Sequence, residues 1–144
     1  MAERIKDKID EIQTYVNELI EFMPKDFQAY ACDAKAKAAC ERYFEKIIEA
    51  ATDLAFLLIK ENNLRMPEED KEAFDVLSEG KIISDALSAR LKDAKGMRNI
   101  LAHQYGKVDD EIVFHSITEE LVRDANEFSS SAKKNLKKPA NAKK

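Results

Sequence analysis

The sequence has few residues that make tight turns and few that do catalytic chemistry. Its 144 residues include three glycines, three prolines, two histidines, two cysteines and no tryptophan. Scarce glycine and proline beside abundant Ala, Leu, Glu and Lys are typical of long helices and argue against a sheet protein with many turns. We therefore predict an all-α fold, and a chain of this length is expected to form one domain with its own core.

Disulfide bonds and membrane segments are also not expected. Cys32 and Cys40 lie eight residues apart in what the pattern predicts to be one helix. Their side chains could not meet there, so we expect two buried, reduced thiols. No apolar run has the length of a membrane span, and the first residues form no apolar signal segment. These observations predict a cytoplasmic protein.

The charge of the chain is unevenly distributed. The net charge is −4, and the lysine-rich segment 133–144 holds six lysines and no acidic residue. Residues 1–132 therefore carry about −10, which argues against a broad basic face for nucleic acid. Any RNA contact must come from a local cluster or from the tail. We predict a single helical domain over residues 1–132 and a disordered tail over residues 133–144.

Apolar residues recur in steps of three and four along two long N-terminal segments. The first segment predicts an amphipathic helix from Ile5 to Met23 that ends at Pro24. The second predicts one unbroken helix from Phe27 to Glu61, the longest in the chain.

Three further helices are predicted from the rest of the sequence. A short helix begins near Pro67 and ends near Ser78, and a fourth runs from Ile83 to the neighbourhood of His103. Gly106 is a plausible terminator for it, and Asp109 can cap a fifth helix. Four long helices with short connections predict an antiparallel four- to five-helix bundle.

Chemically useful side chains are concentrated at the end of the predicted fourth helix. Arg98, His103 and Tyr105 bring a guanidinium, an imidazole and a phenol close together in sequence. RNA carries its own nucleophile, the 2′-hydroxyl, so its cleavage needs only a base, an acid and a group that binds phosphate. A histidine with a pKa of about 6.5 exchanges protons at neutral pH, and an arginine stays charged. Arg and His also favour a last helical turn because they oppose the helix dipole, so spacing alone leaves both interpretations open.

The spacing of Arg98 and His103 adds a geometric constraint. On a straight helix they point about 140° apart around the axis. For both to reach one phosphate, either the helix ends or distorts before His103, or the two side chains meet in a cleft between subunits. A two-fold dimer brings the same surface of both chains together.

The string Arg98-Asn99-x-x-x-His103-x-Tyr105 resembles the Arg-x4-His-x-Tyr signature of HEPN toxins of the HepT type. Residues 40–50, 78–84 and 109–113 are similar to further segments of the same family. The resemblance covers roughly residues 5–128. It implies a helical bundle that forms a two-fold dimer, with both motifs in one cleft, and that cleaves RNA without a metal ion or other cofactor.

The resemblance also implies a role for each residue of the motif. His103 would be the general base or acid, Arg98 would bind phosphate, and Asn99 would orient substrate or catalytic groups. The protein would be the toxin of a type II toxin–antitoxin system, as a homodimer or in a larger complex with its antitoxin. That antitoxin would be an MntA-type nucleotidyltransferase that attaches AMP to Tyr105, adding bulk and negative charge where an RNA phosphate must bind.

Two questions stay open at this point. The chain could instead be a non-catalytic HEPN subunit that presents substrate or nucleotide to a nucleotidyltransferase. The polar residues Arg42, Glu45 and Glu49 of the second predicted helix could line the cleft or form a solvated face.

Overall fold

The computed structural model describes residues 1–103 and 109–137, and every regular element in these ranges is helical. The prediction of an all-α fold is confirmed. No helix in this part of the chain is long and apolar enough to cross a membrane. The helices are α1 (Ala2–Phe22), α2 (Phe27–Cys32), α3 (Ala34–Glu61), α4 (Glu72–Glu79), α5 (Asp85–His103), α6 (Asp110–His115) and α7 (Val122–Lys137), and a π-helical segment (Ser116–Leu121) joins α6 to α7.

Helix α3 lies at the centre of the bundle, where it contacts α1, α2, α4, α5 and α7. Its largest interface is with α1, which also packs against α7. The apolar side predicted for α1 is confirmed at five of its six positions, which are buried: Ile5, Ile9, Ile12, Val16 and Leu19. The sixth, Met23, follows the end of the helix and is partly buried against the core. Burial of such side chains supplies most of the free energy that holds a helical bundle together.

The prediction of one unbroken helix from Phe27 to Glu61 is wrong, because the helix is interrupted at Asp33. Asp33 has an extended backbone, and its carboxylate accepts hydrogen bonds from the backbone N–H groups of Lys35 (3.1 Å) and Ala36 (3.0 Å). This is the geometry of an N-cap, so α3 starts afresh after α2. The apolar spacing did not reveal the break because an aspartate is equally acceptable on the exposed side of a helix.

This break separates the two cysteines, which are both free thiols. Cys32 ends α2 and is exposed, whereas Cys40 lies in α3 and is buried. The expectation of two buried thiols on one helix is therefore wrong for Cys32. Burial raises the pKa of the Cys40 thiol to about 11, so this thiol stays protonated at neutral pH.

Helix α4 begins later than predicted, and a residue with a left-handed backbone follows its C-terminal end. Pro67 precedes the helix, and the first α4 residue is Glu72. At the other end the N–H of Ile82 donates to the carbonyl of Leu77 (2.9 Å), and Lys81 has a φ of 66°. This bond pattern is a Schellman turn, in which glycine is the usual residue at the left-handed position.

The last helical stretch extends further than predicted. Asp109 caps α6 as predicted, with its carboxylate accepting from the N–H groups of Glu111 (2.9 Å) and Ile112 (3.3 Å). Helix α7 continues to Lys137, so residues 133–137 are helical and the expected disorder is wrong for them. Residues 138–144 and the suggested terminator Gly106 lie outside the described residues, and the domain boundary at residue 132 stays a prediction.

Candidate functional site

Helix α5 carries the motif residues up to His103, and its first half packs into the core. Leu87 and Leu91 are buried, and Met97 and Leu101 pack partly buried against the same core. The helix continues through His103, as predicted. It does not end before His103, so a site shared by Arg98 and His103 would need a distortion of the helix or a cleft between subunits.

Arg98 projects from α5 towards α3. Its Nη2 donates a hydrogen bond to Oε2 of Glu49, which lies in the middle of α3. The Arg98 side chain is 23% exposed, whereas that of Glu49 is 46% exposed. The Nε of Arg98 is buried and has no hydrogen-bond partner among the residues that the structure describes. Among the described side chains Glu49 is the one charged contact of this guanidinium, and it engages only part of the five N–H donors.

The polar residues of α3 that were left open now separate into two groups. Glu49 reaches the motif arginine, but Glu45 pairs with Arg42 on its own helix (3.6 Å). Sequence reasoning missed the contact of Glu49 with Arg98, because 49 residues separate the two. One weak signal for the importance of Glu49 was available, because residues 40–50 are similar to a segment of the HepT-type family.

The other predicted site residues are described less fully. Asn99 is partly buried on α5 beside Arg98. The backbone of His103 is helical, but its side chain lies outside the described residues, as does the whole of Tyr105. Among the described side chains, no group of three or more His, Cys, Asp and Glu residues could hold a metal ion.

A second arginine on α5 is held by α7. Arg90 Nη2 donates to Oε1 of Glu127 (2.6 Å), and Arg90 Nε lies 3.1 Å from Oδ1 of Asp124. The latter contact is an ion pair rather than a well-aligned hydrogen bond. Asp124 is 5% exposed and also pairs with Arg123 (2.9 Å). A cavity of about 280 Å³ adjoins this network, with Phe44 and Met97 in its lining.

The sequence of the chain also matches a family model. The family model described as ribonuclease HepT-like matches residues 12–132. The chain therefore belongs to the ribonuclease HepT-like family, which confirms the resemblance inferred from the motif.

Two curated relatives match part of the chain. A protein of Archaeoglobus fulgidus is 39% identical over 72 residues, which are 50% of this chain and 54% of that protein. The protein named mRNA nuclease HepT of Shewanella oneidensis is 30% identical over 77 residues, which are 54% of this chain and 58% of that protein. The chain thus spans little more than half the length of either relative.

The fold is also similar to a solved structure. This is a tri-AMPylated Shewanella oneidensis HEPN toxin in complex with an MNT antitoxin. The sequences are 25% identical, the TM-score is 0.83, and the superposition covers 90% of this chain and 96% of that chain. The HEPN-like helical bundle predicted from the sequence is confirmed.

Proposed function

We propose that this protein is an RNA-cleaving toxin, with Arg98, Asn99 and His103 in its active site. The observation that carries the proposal is the position of the motif in a HepT-like chain. Arg98 is held on α5 about 1.4 turns before His103, and its buried Nε has no hydrogen-bond partner among the described residues. The name of the Shewanella oneidensis relative, an mRNA nuclease, supports RNA as the substrate.

The proposed reaction uses the 2′-hydroxyl of the RNA as nucleophile. A base takes its proton, the 2′-oxygen bonds to the neighbouring phosphorus, the bond from phosphorus to the 5′-oxygen breaks, and an acid protonates the leaving oxygen. His103 would serve as base or acid, and Arg98 would stabilise the charge that builds on the non-bridging phosphate oxygens. This chemistry requires no metal ion.

The divergence of Arg98 and His103 on one helix favours a site built by two chains. Because the backbone of α5 is helical through His103, positions 98 and 103 lie about 140° apart around the axis of a straight helix. A two-fold dimer with both motifs in one cleft would let Arg98 of one chain and His103 of the other approach the same phosphate. It would also supply two histidines, one for each proton transfer.

We further propose that a nucleotidyltransferase antitoxin controls the toxin through Tyr105. The similar solved structure is an AMPylated toxin bound to such an antitoxin. The phenol oxygen of Tyr105 would attack the α-phosphorus of ATP, form a phosphodiester with AMP and release pyrophosphate. The added negative charge would repel the RNA phosphate. Since RNA and ATP are both substrates of the pair, the proposal places the protein in the cytoplasm.

RNA cleavage in EDTA by the wild type and by two histidine variants tests the proposal. We expect the wild type to cleave, and His103→Ala to lose activity while remaining folded. The matched control is His115→Ala, because His115 is an exposed residue that pairs with Glu119 on its own helical stretch (2.9 Å). Full activity of His103→Ala would contradict the assignment. Stable binding of a nucleotidyltransferase with no RNA cleavage would favour the non-catalytic subunit instead.

The control by AMP transfer has its own test. The wild type, incubated with a candidate MntA-type nucleotidyltransferase and ATP, should gain mass in units of AMP and lose RNA cleavage. Tyr105→Phe should gain no AMP at residue 105 and should stay active in the same mixture. Equal labelling and inhibition of Tyr105→Phe would refute Tyr105 as the control point.

A further inference from the structure

The contact between Glu49 and Arg98 joins the motif helix to the centre of the bundle. Among the side chains that the structure describes, the Glu49 carboxylate is the one charged group paired with Arg98. A guanidinium has five N–H donors in a fixed planar arrangement, and a carboxylate on Nη2 fixes the orientation of that plane. The remaining donors then point in defined directions.

The burial of the two side chains indicates that this contact serves orientation more than stability. Glu49 is about half exposed, and ion pairs at such positions contribute little to the free energy of folding. The core contacts of Leu87 and Leu91 already hold α5 against the bundle. Arg98, in contrast, is mostly buried, and its Nε has no hydrogen-bond partner among the described residues. A buried donor without a partner is costly in a finished structure, which is a reason to look for a ligand that completes it.

We propose that Glu49 is a positioning residue for RNA cleavage, which acts by orienting the guanidinium of Arg98 towards the reacting phosphate. This inference rests on the proposed function. Glu49 touches Arg98 and not the substrate, so it acts through the arginine. The carboxylate holds Nη2, and the free donors, including Nε, are left to bind the non-bridging oxygens as charge develops on them.

The negative charge of Glu49 makes this role distinguishable from ordinary substrate binding. A carboxylate beside an RNA phosphate opposes binding of the ground state, because like charges repel. Loss of Glu49 should therefore leave KM unchanged or lower it, even though a poorly oriented Arg98 lowers kcat. A residue that merely stabilised the fold would change neither constant below the melting temperature.

The first experiment measures kcat and KM for Glu49→Gln and Glu49→Ala. Glutamine keeps an oxygen acceptor without the charge, whereas alanine removes both. We expect kcat to fall about tenfold for Glu49→Gln and about a hundredfold for Glu49→Ala, with no rise in KM. The matched control is Glu45→Gln, one turn earlier on α3, where the carboxylate pairs with Arg42 of the same helix and with no described side chain of α5. Its constants should stay within about twofold of the wild type.

The second experiment is a double-mutant cycle with Arg98→Ala. If Glu49 acts through Arg98, then Glu49→Ala should cause no further loss in the Arg98→Ala background. Single-turnover cleavage at high enzyme concentration makes the low residual rates measurable. Additive losses would mean that Glu49 acts independently of Arg98, and they would overturn the inference.

The possible failures can be told apart. A wild type that does not cleave RNA overturns the proposed function and this inference with it. An active wild type whose kcat is unchanged by Glu49→Ala overturns the inference alone. An increase of kcat in Glu49→Gln would also overturn it, because Glu49 would then compete with the phosphate for Arg98.

Discussion

Arg90 and Arg98 lie on the same helix, about 12 Å apart along its axis, but the bundle holds them in different ways. Arg90 is paired with two carboxylates of α7, and one of these, Asp124, is almost fully buried. Arg98 is paired with Glu49 alone among the described side chains, and Glu49 is half exposed. The Nε of both arginines has no hydrogen-bond partner among the described residues, but Nε of Arg90 lies 3.1 Å from the buried Asp124. An arginine whose charge is matched by two carboxylates, one of them buried, belongs to the scaffold. An arginine beside a single solvent-exposed carboxylate can accept a further anion.

The largest expected effect is the loss of RNA cleavage in Arg98→Ala. Removal of a guanidinium that stabilises transition-state charge should lower kcat/KM about a thousandfold, or about 4 kcal/mol. Stability should change by about 0.5 kcal/mol or less, because Glu49 is free to be hydrated in the variant. Cleavage assays and thermal unfolding of the same sample measure both. A variant with a much lower free energy of unfolding, but with normal cleavage per folded molecule, would reverse the comparison.

The next effect is a loss of stability in Leu87→Ala, on the buried side of the same helix. Leu87 is fully buried, so its truncation leaves a cavity and should lower the free energy of unfolding by about 3 kcal/mol. Urea unfolding measures this loss. Activity per folded molecule should be preserved. If activity falls more than the folded fraction does, the anchored half of α5 would also control the chemistry.

Arg90→Ala should lower the free energy of unfolding by about 2 kcal/mol, because it takes one of two guanidinium partners from the buried Asp124. Cleavage by the folded variant should stay within a few-fold of the wild type. The measurement is again urea unfolding with a parallel RNA assay. Normal stability combined with a loss of cleavage like that of Arg98→Ala would remove the distinction between the two arginines.

The smallest effect concerns the turn before α5. Lys81 has a φ of 66°, a left-handed conformation that strains a residue with a side chain. Lys81→Gly should therefore raise the free energy of unfolding by about 0.5–1 kcal/mol, after allowance for the greater freedom of glycine in the unfolded chain. Thermal unfolding measures the gain, and cleavage should be unchanged. A destabilised variant would show that the Lys81 side chain makes contacts worth more than the strain.

The sequence was sufficient for most of the bundle because local spacing controls which side of a helix is buried. The buried side of α1 and the cap at Asp109 follow from patterns within a few residues. The break at Asp33 was missed because a cap and an exposed helical aspartate look alike in sequence. The pairing of Glu49 with Arg98 was missed because it depends on how α3 and α5 pack, which no local pattern encodes.

The π-helical segment was also missed, although the sequence carries a signal for it. Val113, Ile117, Leu121 and Ala125 are all buried, and they follow one another in steps of four. On a regular α-helix three such steps drift about 120° around the axis, which is the full width of an ordinary apolar side. A wider turn absorbs the drift. Three successive steps of four are therefore a weak signal for a π-helical turn, where the sequence analysis predicted an ordinary helix.

This segment lets the last helical stretch hold one residue more than a regular α-helix with the same buried side. A chain one residue shorter between positions 116 and 121 could form a regular α-helix with every backbone bond intact. Positions 113 and 125 would then be three turns apart to within about 20°, so both would stay on the buried side. Phe114 would keep its place beside the ring of Tyr30, whose centroid lies 5.1 Å away. Within this segment the loss of one residue should therefore be tolerated better than the gain of one, because the wide turn already holds the extra residue.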